Sequence, residues 1–287
     1  WMNPEVDYLV AEVDSEKWIV SEEGLKKLRN QGMEIGEVTE LDEQVIGKDV
    51  KAPITGKEVP ILPASFVDPK NATGIVYSVP AHAPYDYMAL EELKEEPERL
   101  EGFDIDPQRV KEIEPISLIE ISEYGESPGV DIVKEMGIED QEDPRLEEAT
   151  EEIYQKEFSS GIIRDWVPEY SGMRVSEAKD EVHDELQYKG EGSLIYEFSE
   201  KPVVCRCGTR CLVKVVEDQW FLNYSNQGWK EKAKVCLERM DLIPSETRGQ
   251  FDYTIDWLEE WPCTRRVGMG TPAPWDESWI IESLSDS

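Results

Sequence analysis

Residues 73–87 read TGIVYSVPAHAPYDY: an apolar run that reaches Pro80, an Ala-His-Ala-Pro turn, and one carboxylate, Asp86, between Tyr85 and Tyr87. The spacing predicts a strand over TGIVYSV that Pro80 ends, followed by a helix from Pro84 to about Lys94. An apolar wall, a turn and a lone acid this close together are what a pocket needs to hold a small ligand that carries an aliphatic group and a positive charge. Tyr77 and Val79 alternate with Ser78, so on a strand they share one face and can shape a side-chain pocket. Thr73 and Gly74 open the strand, and Gly74 allows a close backbone approach. Asp86 suits a cation by charge pairing; its other reading is a cap on the helix that starts at Pro84. Tyr85 and Tyr87 flank the acid and point to opposite sides of it if the turn is extended.

Upstream, YLVAEV (8–13) and WIV (18–20) read as strands, and a helix is expected from Ser21 as N-cap to about Gln31, closed by Gly32. The segments EIGEVTE, VIGKDVKAPITGKEVPIL and ASFVDP are punctuated by Gly, Pro and Thr-Gly in the rhythm of a compact, barrel-like sheet. Downstream, acidic helical patterns alternate with the apolar stretch ISLIEI (116–121). Asp106-Pro107 and Asp143-Pro144 read as helix starts, and residues 145–157 and 176–187 as surface helices with glutamate-rich outer faces. Strands are expected again at SLIYEF (193–198) and in VVCRCGTRCLVKVV (203–216), with Cys-Gly-Thr-Arg as a hairpin-like turn. Helices over about 226–239 and 246–260 follow. The expected class is α/β.

The chain has 287 residues, 39% of them hydrophobic, which is enough for two domains with ordinary cores. It opens on Trp1 and closes on IIESLSDS, inside an apolar segment, so it reads as a piece of something longer. No run of about 18 apolar residues and no basic, apolar leader suggests a membrane span or a secretion signal, and the expected compartment is the cytoplasm. The odd count of five cysteines, three of them in CRCGTRC (Cys205, Cys207, Cys211), fits a reducing compartment better than a secreted disulfide scaffold. Their Cys-x-Cys-x3-Cys spacing would need a fourth ligand from Cys236 or Cys263, so a small-residue hairpin without metal is the preferred reading.

A net charge of −34 argues against phosphate partners when taken alone. The imbalance is local, however: residues 91–190 carry 11 basic and 31 acidic groups, whereas residues 201–287 carry 11 and 14. The C-terminal stretch can therefore still face a phosphate backbone. The acidic middle reads as a solvated surface or, as the second choice, a docking surface.

TGIVYSVPAHAPYDYMAL resembles the core of the editing site of leucyl-tRNA synthetases, and its Ala-His-Ala-Pro version resembles the archaeal and eukaryotic branch. DQWFLNY (218–224), IDWLEEWPCTRRVGMGTPAPW (255–275) and WIIESLSDS (279–287) are similar to the same family where the chain re-enters the class I catalytic domain. The resemblance implies an editing domain over residues 1–198, with an acidic helical insertion at about 91–190, and over 199–287 a return into a Rossmann-like catalytic domain. It implies an enzyme, expected to be a monomer, that activates leucine with ATP, esterifies it to tRNA(Leu) and hydrolyses misacylated products. A hydrophobic pocket separates aliphatic side chains by only about 1–3 kcal/mol per methylene, and a second, hydrolytic sieve is the known remedy in synthetases.

In that family the acid at the place of Asp86 binds the α-ammonium of the misattached amino acid, which makes Asp86 the catalytic-site residue. Thr73, Tyr77, Val79 and His82 would line the pocket. His82 reads equally as a group that positions water or contacts ribose near the ester and as a turn histidine bonded locally. The family's pocket also uses a threonine-rich peptide, which this sequence lacks, as it lacks the His-Ile-Gly-His-like and Lys-Met-Ser-Lys-Ser signatures and a Walker-type loop. ATP would therefore bind outside this stretch. Arg265 and Arg266 read as nucleotide or tRNA contacts or, equally, as packing and surface charge. Two rival readings keep part of this picture: a free-standing trans-editing hydrolase, and a non-enzymatic acidic interaction module in which residues 91–190 do the work.

Overall fold

The Val/Ala alternation of YLVAEV makes β1 (Tyr8–Val13), and the two-residue turn Asp14-Ser15 returns it as β2 (Glu16–Ser21). Both turn residues have positive φ, 48° and 72°, which matches the right-handed twist of a tight hairpin. Ser21 then starts α1 (Glu22–Asn30): its Oγ accepts from Gly24 N at 2.9 Å and donates to Pro69 O at 2.6 Å, while its own amide donates to Thr73 O at 2.8 Å. β3 (Ile35–Glu40) pairs with the other edge of β1, so the sheet order is β2-β1-β3. Ala11, Val13 and Val20 of this sheet bury against Leu25 and Leu28 of α1. β4 (Asp49–Lys51) and β5 (Glu58–Pro60) form a separate antiparallel pair.

These are the findings of a computed structural model that describes residues 1–199 and 202–282. The chain divides into two units, Trp1–Val215 and Val216–Ser287.

Later in the first unit come α2 (Pro84–Glu95), the short α3 (Pro107–Lys111) capped by Asp106, and β6 (Ile119–Glu120). After them lie α4 (Pro128–Met136), α5 (Arg145–Ser160), β7 (Ile162–Ile163), which pairs with β6, and α6 (Val175–Lys189). Helices α2, α4 and α5 share one apolar core in which Met88 meets Ile132, Val133, Leu146, Ala149 and Ile153. The helix that carries Asp86 is thus packed against elements drawn from the acidic middle of the chain.

The second unit holds β8 (Phe221–Asn223), α7 (Gln227–Glu238), α8 (Thr247–Trp257) and β9 (Glu260–Pro262), with β8 paired to β9. A sheet of order β10-β12-β11 follows, made of β10 (Thr264–Arg265), β11 (Pro272–Ala273) and β12 (Asp276–Ile281). Its strand pairs are all antiparallel. Residues 283–287, the end of the WIIESLSDS stretch, lie outside the described residues.

The mixed α/β class is observed, but the barrel-like sheet is not: among the described residues the strands form sheets of two or three, and none closes. Pro60 closes β5, and Pro63, Pro69 and Pro80 have no amide to donate to a further ladder. TGIVYSV is not a ladder strand: Thr73 and Gly74 lie in a turn, with Gly74 at φ +82°, and residues 75–79 join no sheet among the described residues. Val76 N donates to Trp1 O at 3.1 Å and Trp1 N to Val76 O at 2.6 Å, and an isolated bridge joins Met2 to Ile75. SLIYEF likewise joins no strand among the described residues. Tyr196 instead exchanges both backbone bonds with the side-chain amide of Gln31, at 2.7 Å each. Around CRCGTRC the expected turn forms at Gly208, but it carries only the Val204–Arg210 bridge, and Cys205 and Cys207 are joined as a disulfide. No helix among the described residues is long and apolar enough to cross a membrane.

Ser21 ties α1 to the segment that leads into residues 73–79, and it is fully buried. Replacing it by alanine removes the cap and orphans the Gly24 amide, so Ser21→Ala is expected to cost about 1–2 kcal/mol in urea unfolding.

Candidate functional site

Asp86 stands at the third residue of α2, where helix N-termini favour negative charge. It does not cap its own helix. Its Oδ2 reaches back across the turn and accepts from Val79 N at 2.7 Å. The residue is only 6% exposed. Burial pushes its carboxyl above the usual range, and the Val79 amide and then the Ser78 hydroxyl pull less strongly the other way. The Ser78 hydroxyl and the Trp1 indole nitrogen are both buried and also pull its carboxyl downward, although neither meets full hydrogen-bond geometry. A single amide occupies one of roughly four lone-pair positions on a carboxylate, so the group retains capacity to accept from an ammonium.

The turn between Val79 and Pro84 is held from several sides. His82 N and Ala83 N both donate to Val79 O, at 2.8 and 2.9 Å. Gly129, in the first turn of α4, donates its amide to Ala81 O at 2.8 Å, and a Cβ added there would stand 2.9 Å from the His82 carbonyl carbon. His82 is 3% exposed, with both ring nitrogens engaged. Nε2 accepts from Leu118 N at 2.8 Å, so the proton sits on Nδ1, which faces Glu157 Oε1 at 2.5 Å. Both ring bonds of His82 run to residues remote in sequence, Leu118 and Glu157, rather than within its own turn.

The other expected residues fall along one extended segment. Tyr77 is 54% exposed, with its ring toward solvent, while Ser78 turns inward and Val79 is half-buried. Thr73 is half-buried and its carbonyl is taken by Ser21. Gly74 has φ of +82° and makes a close approach, but to Ser21, whose Cβ would lie 2.8 Å from a Cβ at position 74. Tyr85 and Tyr87 lie on α2 rather than in an extended turn, and both pack against the core shared with α4 and α5.

Sequence reasoning missed three partners, all from the acidic middle: the Leu118 amide, Gly129 and Glu157. A fourth residue, Tyr154, lies one turn before Glu157 on α5 and is half exposed. Its phenol is pushed up by burial first and then by the charges of Asp86 and Glu157, so it remains a hydrogen-bond donor at neutral pH. Only Glu157 left a signal in the sequence: Leu146, Ala149, Ile153 and Glu157 follow a helical 3-4-4 spacing, which puts an acid in the apolar register.

Two curated relatives are leucine–tRNA ligases. That of Methanothermobacter thermautotrophicus is 49% identical over 290 residues and that of Methanopyrus kandleri 51% over 288 residues. All of this chain is matched in both, and it spans 31% and 30% of their lengths. Among solved structures, GlLeuRS-CP1 aligns with a TM-score of 0.60 at 25% identity, covering 69% of this chain and 77% of that one. The editing domain of P. falciparum cytosolic leucyl-tRNA synthetase aligns with a TM-score of 0.60 at 21% identity, covering 68% and 73%. No family model matches the chain.

Because the folded-state carboxyl of Asp86 is raised, the folded chain keeps this proton at a pH where the unfolded chain, titrating near 3.9, has lost it. Its contribution to stability is therefore full in acid and is lost as pH rises through the raised value. Asp86→Asn keeps an acceptor for Val79 N and removes the buried charge. It is expected to raise the thermal midpoint at pH 7, and the gain should vanish when the same melts are run near pH 3.5–4.

Proposed function

Since the chain belongs to the leucyl-tRNA synthetase family, we propose that residues 73–87 form part of a hydrolytic editing site and that Asp86 anchors the α-ammonium of a misattached amino acid. The observation that carries this reading is a carboxylate 6% exposed, seated at a helix N-terminus beside an apolar segment, with a single amide as its hydrogen-bond donor of good geometry. A carboxylate with acceptor positions to spare beside an apolar segment suits a ligand ammonium by charge pairing. Tyr77 and Val79 shape the space for the side chain, and their bulk excludes leucine while admitting smaller or unbranched competitors. Thr73 lies at the far end of the same segment.

The reaction is hydrolysis of an aminoacyl ester. Water adds to the carbonyl carbon, the ribose oxygen leaves and takes a proton, and free amino acid and deacylated tRNA result. The ester is already activated, so orientation of ester and water supplies much of the rate. His82 contributes as part of the turn. In the complete enzyme the partners are tRNA(Leu), leucine and its competitors, with ATP consumed in a leucylation step to which we assign no residue of this chain. The region after about residue 199 belongs to the catalytic half and the acidic stretch 91–190 to the editing half. Cytoplasmic location and a monomeric state complete the proposal.

In the full-length enzyme, Asp86→Ala is expected to let isoleucine- or norvaline-charged leucine-acceptor tRNA survive, slowing its deacylation on the order of 100-fold or more. Clearance at the wild-type rate by the variant would sink the assignment.

A further inference from the structure

The acidic middle of the chain reaches into this site through one side chain. Glu157 lies on the inner face of α5, 5% exposed, although the rest of that face is Leu146, Ala149 and Ile153. A carboxylate in such a register is costly unless it is bonded, and its bond is to His82 Nδ1 at 2.5 Å. His82 in turn lies inside the short turn whose two ends are the Val79 amide, bonded to Asp86, and Pro84, the first residue of α2. The same ring accepts the Leu118 amide through Nε2, and Gly129 closes on the backbone of the turn from α4. The turn is thus gripped by three elements remote in sequence, and only Glu157 grips it with a side chain.

We propose that Glu157 is a positioning residue for the Asp86 site: by holding His82 it fixes the 79–83 turn and with it the place and direction of the Asp86 carboxylate. This rests on the editing reading above and adds to it a role for the middle segment. A neutral His82 with its proton on Nδ1 needs an acceptor at the Glu157 position, and glutamine can supply one while alanine cannot. Shortening the side chain to aspartate keeps the charge but withdraws it by one methylene. Glu157 does not touch the ester, so it acts on the rate only through the geometry of residues that do.

The test uses the full-length enzyme, isoleucine-charged leucine-acceptor tRNA, and variants Glu157→Ala, Glu157→Asp and Glu157→Gln, each with and without Asp86→Ala. Glu148→Ala, on the exposed side of the same helix, serves as a control at the wild-type rate. Glu157→Ala is expected to lower kcat for deacylation by roughly 10- to 100-fold with KM changed less than about threefold, and Glu157→Gln to stay within about threefold of wild type. In the Asp86→Ala background the Glu157→Ala loss should disappear, because the residue it positions is gone. If Glu157→Ala is unfolded at the assay temperature, Glu157→Asp takes its place, and its loss must vanish in the same background. An equal loss in both backgrounds, or no loss in either, overturns the inference. Slow clearance by Asp86→Ala beside normal clearance by Glu157→Ala overturns this inference alone. Normal clearance by Asp86→Ala overturns the editing reading and this inference with it.

Discussion

The cost of keeping the Asp86 carboxylate out of water governs how this part of the molecule is built. A buried carboxylate without partners is not sustained in a fold, and here the compensation is local and partial: the N-terminal end of α2 and the Val79 amide. Both act only if the turn joining residue 79 to residue 84 has one shape. A sequence this short cannot hold itself so, since its own bonds are two amides on the Val79 carbonyl. The rest comes from elsewhere in the chain: the Leu118 amide, the Gly129 backbone and the Glu157 carboxylate. The shared apolar core of α2, α4 and α5 brings those groups to the turn.

That arrangement alters how the acidic middle is understood. Its outward glutamates and aspartates are solvated or paired at the surface, as with Glu152 and Lys156 or Glu92 and Arg99. Its inward face is apolar and packs on the helix carrying Asp86. One acid breaks the division, Glu157, and it is the one in contact with the turn.

Much of the helical fold was legible in the sequence because helices announce themselves locally. Ser21 caps α1, Asp106-Pro107 starts α3, Pro84 starts α2, and the stripes in residues 145–157 and 176–187 mark α5 and α6. Strands failed where pairing is the missing information. TGIVYSV and SLIYEF have the right residue types, but the first finds isolated bonds to Trp1, Met2, Tyr8 and Ser21 rather than a strand, and the second finds the Gln31 side chain. No pattern within a segment reports what will lie alongside it, and the barrel expectation failed for the same reason. At the site, Asp86 was legible as a lone acid after an apolar run. The grip on its turn was not, because a backbone amide at Leu118 and a glycine at 129 carry no chemical signature. Only the misplaced acid at 157 could have been noticed.

The occupied state of His82 bears on chemistry as well as on shape. With one ring nitrogen accepting an amide and the other facing a carboxylate, the imidazole has no nitrogen left to take a proton from water. On the editing reading, the rate must then come from orientation and from the charge of Asp86 rather than from a general base in this turn. Catalysis by orientation is unforgiving, since a displacement of about 1 Å can cost on the order of 100-fold. A site of that kind gains more from rigidity around the anchor than from another reactive group near it. A buried histidine fixed at both nitrogens, with a glycine closing on the backbone beside it, supplies that rigidity at the one turn where the anchor's position is decided.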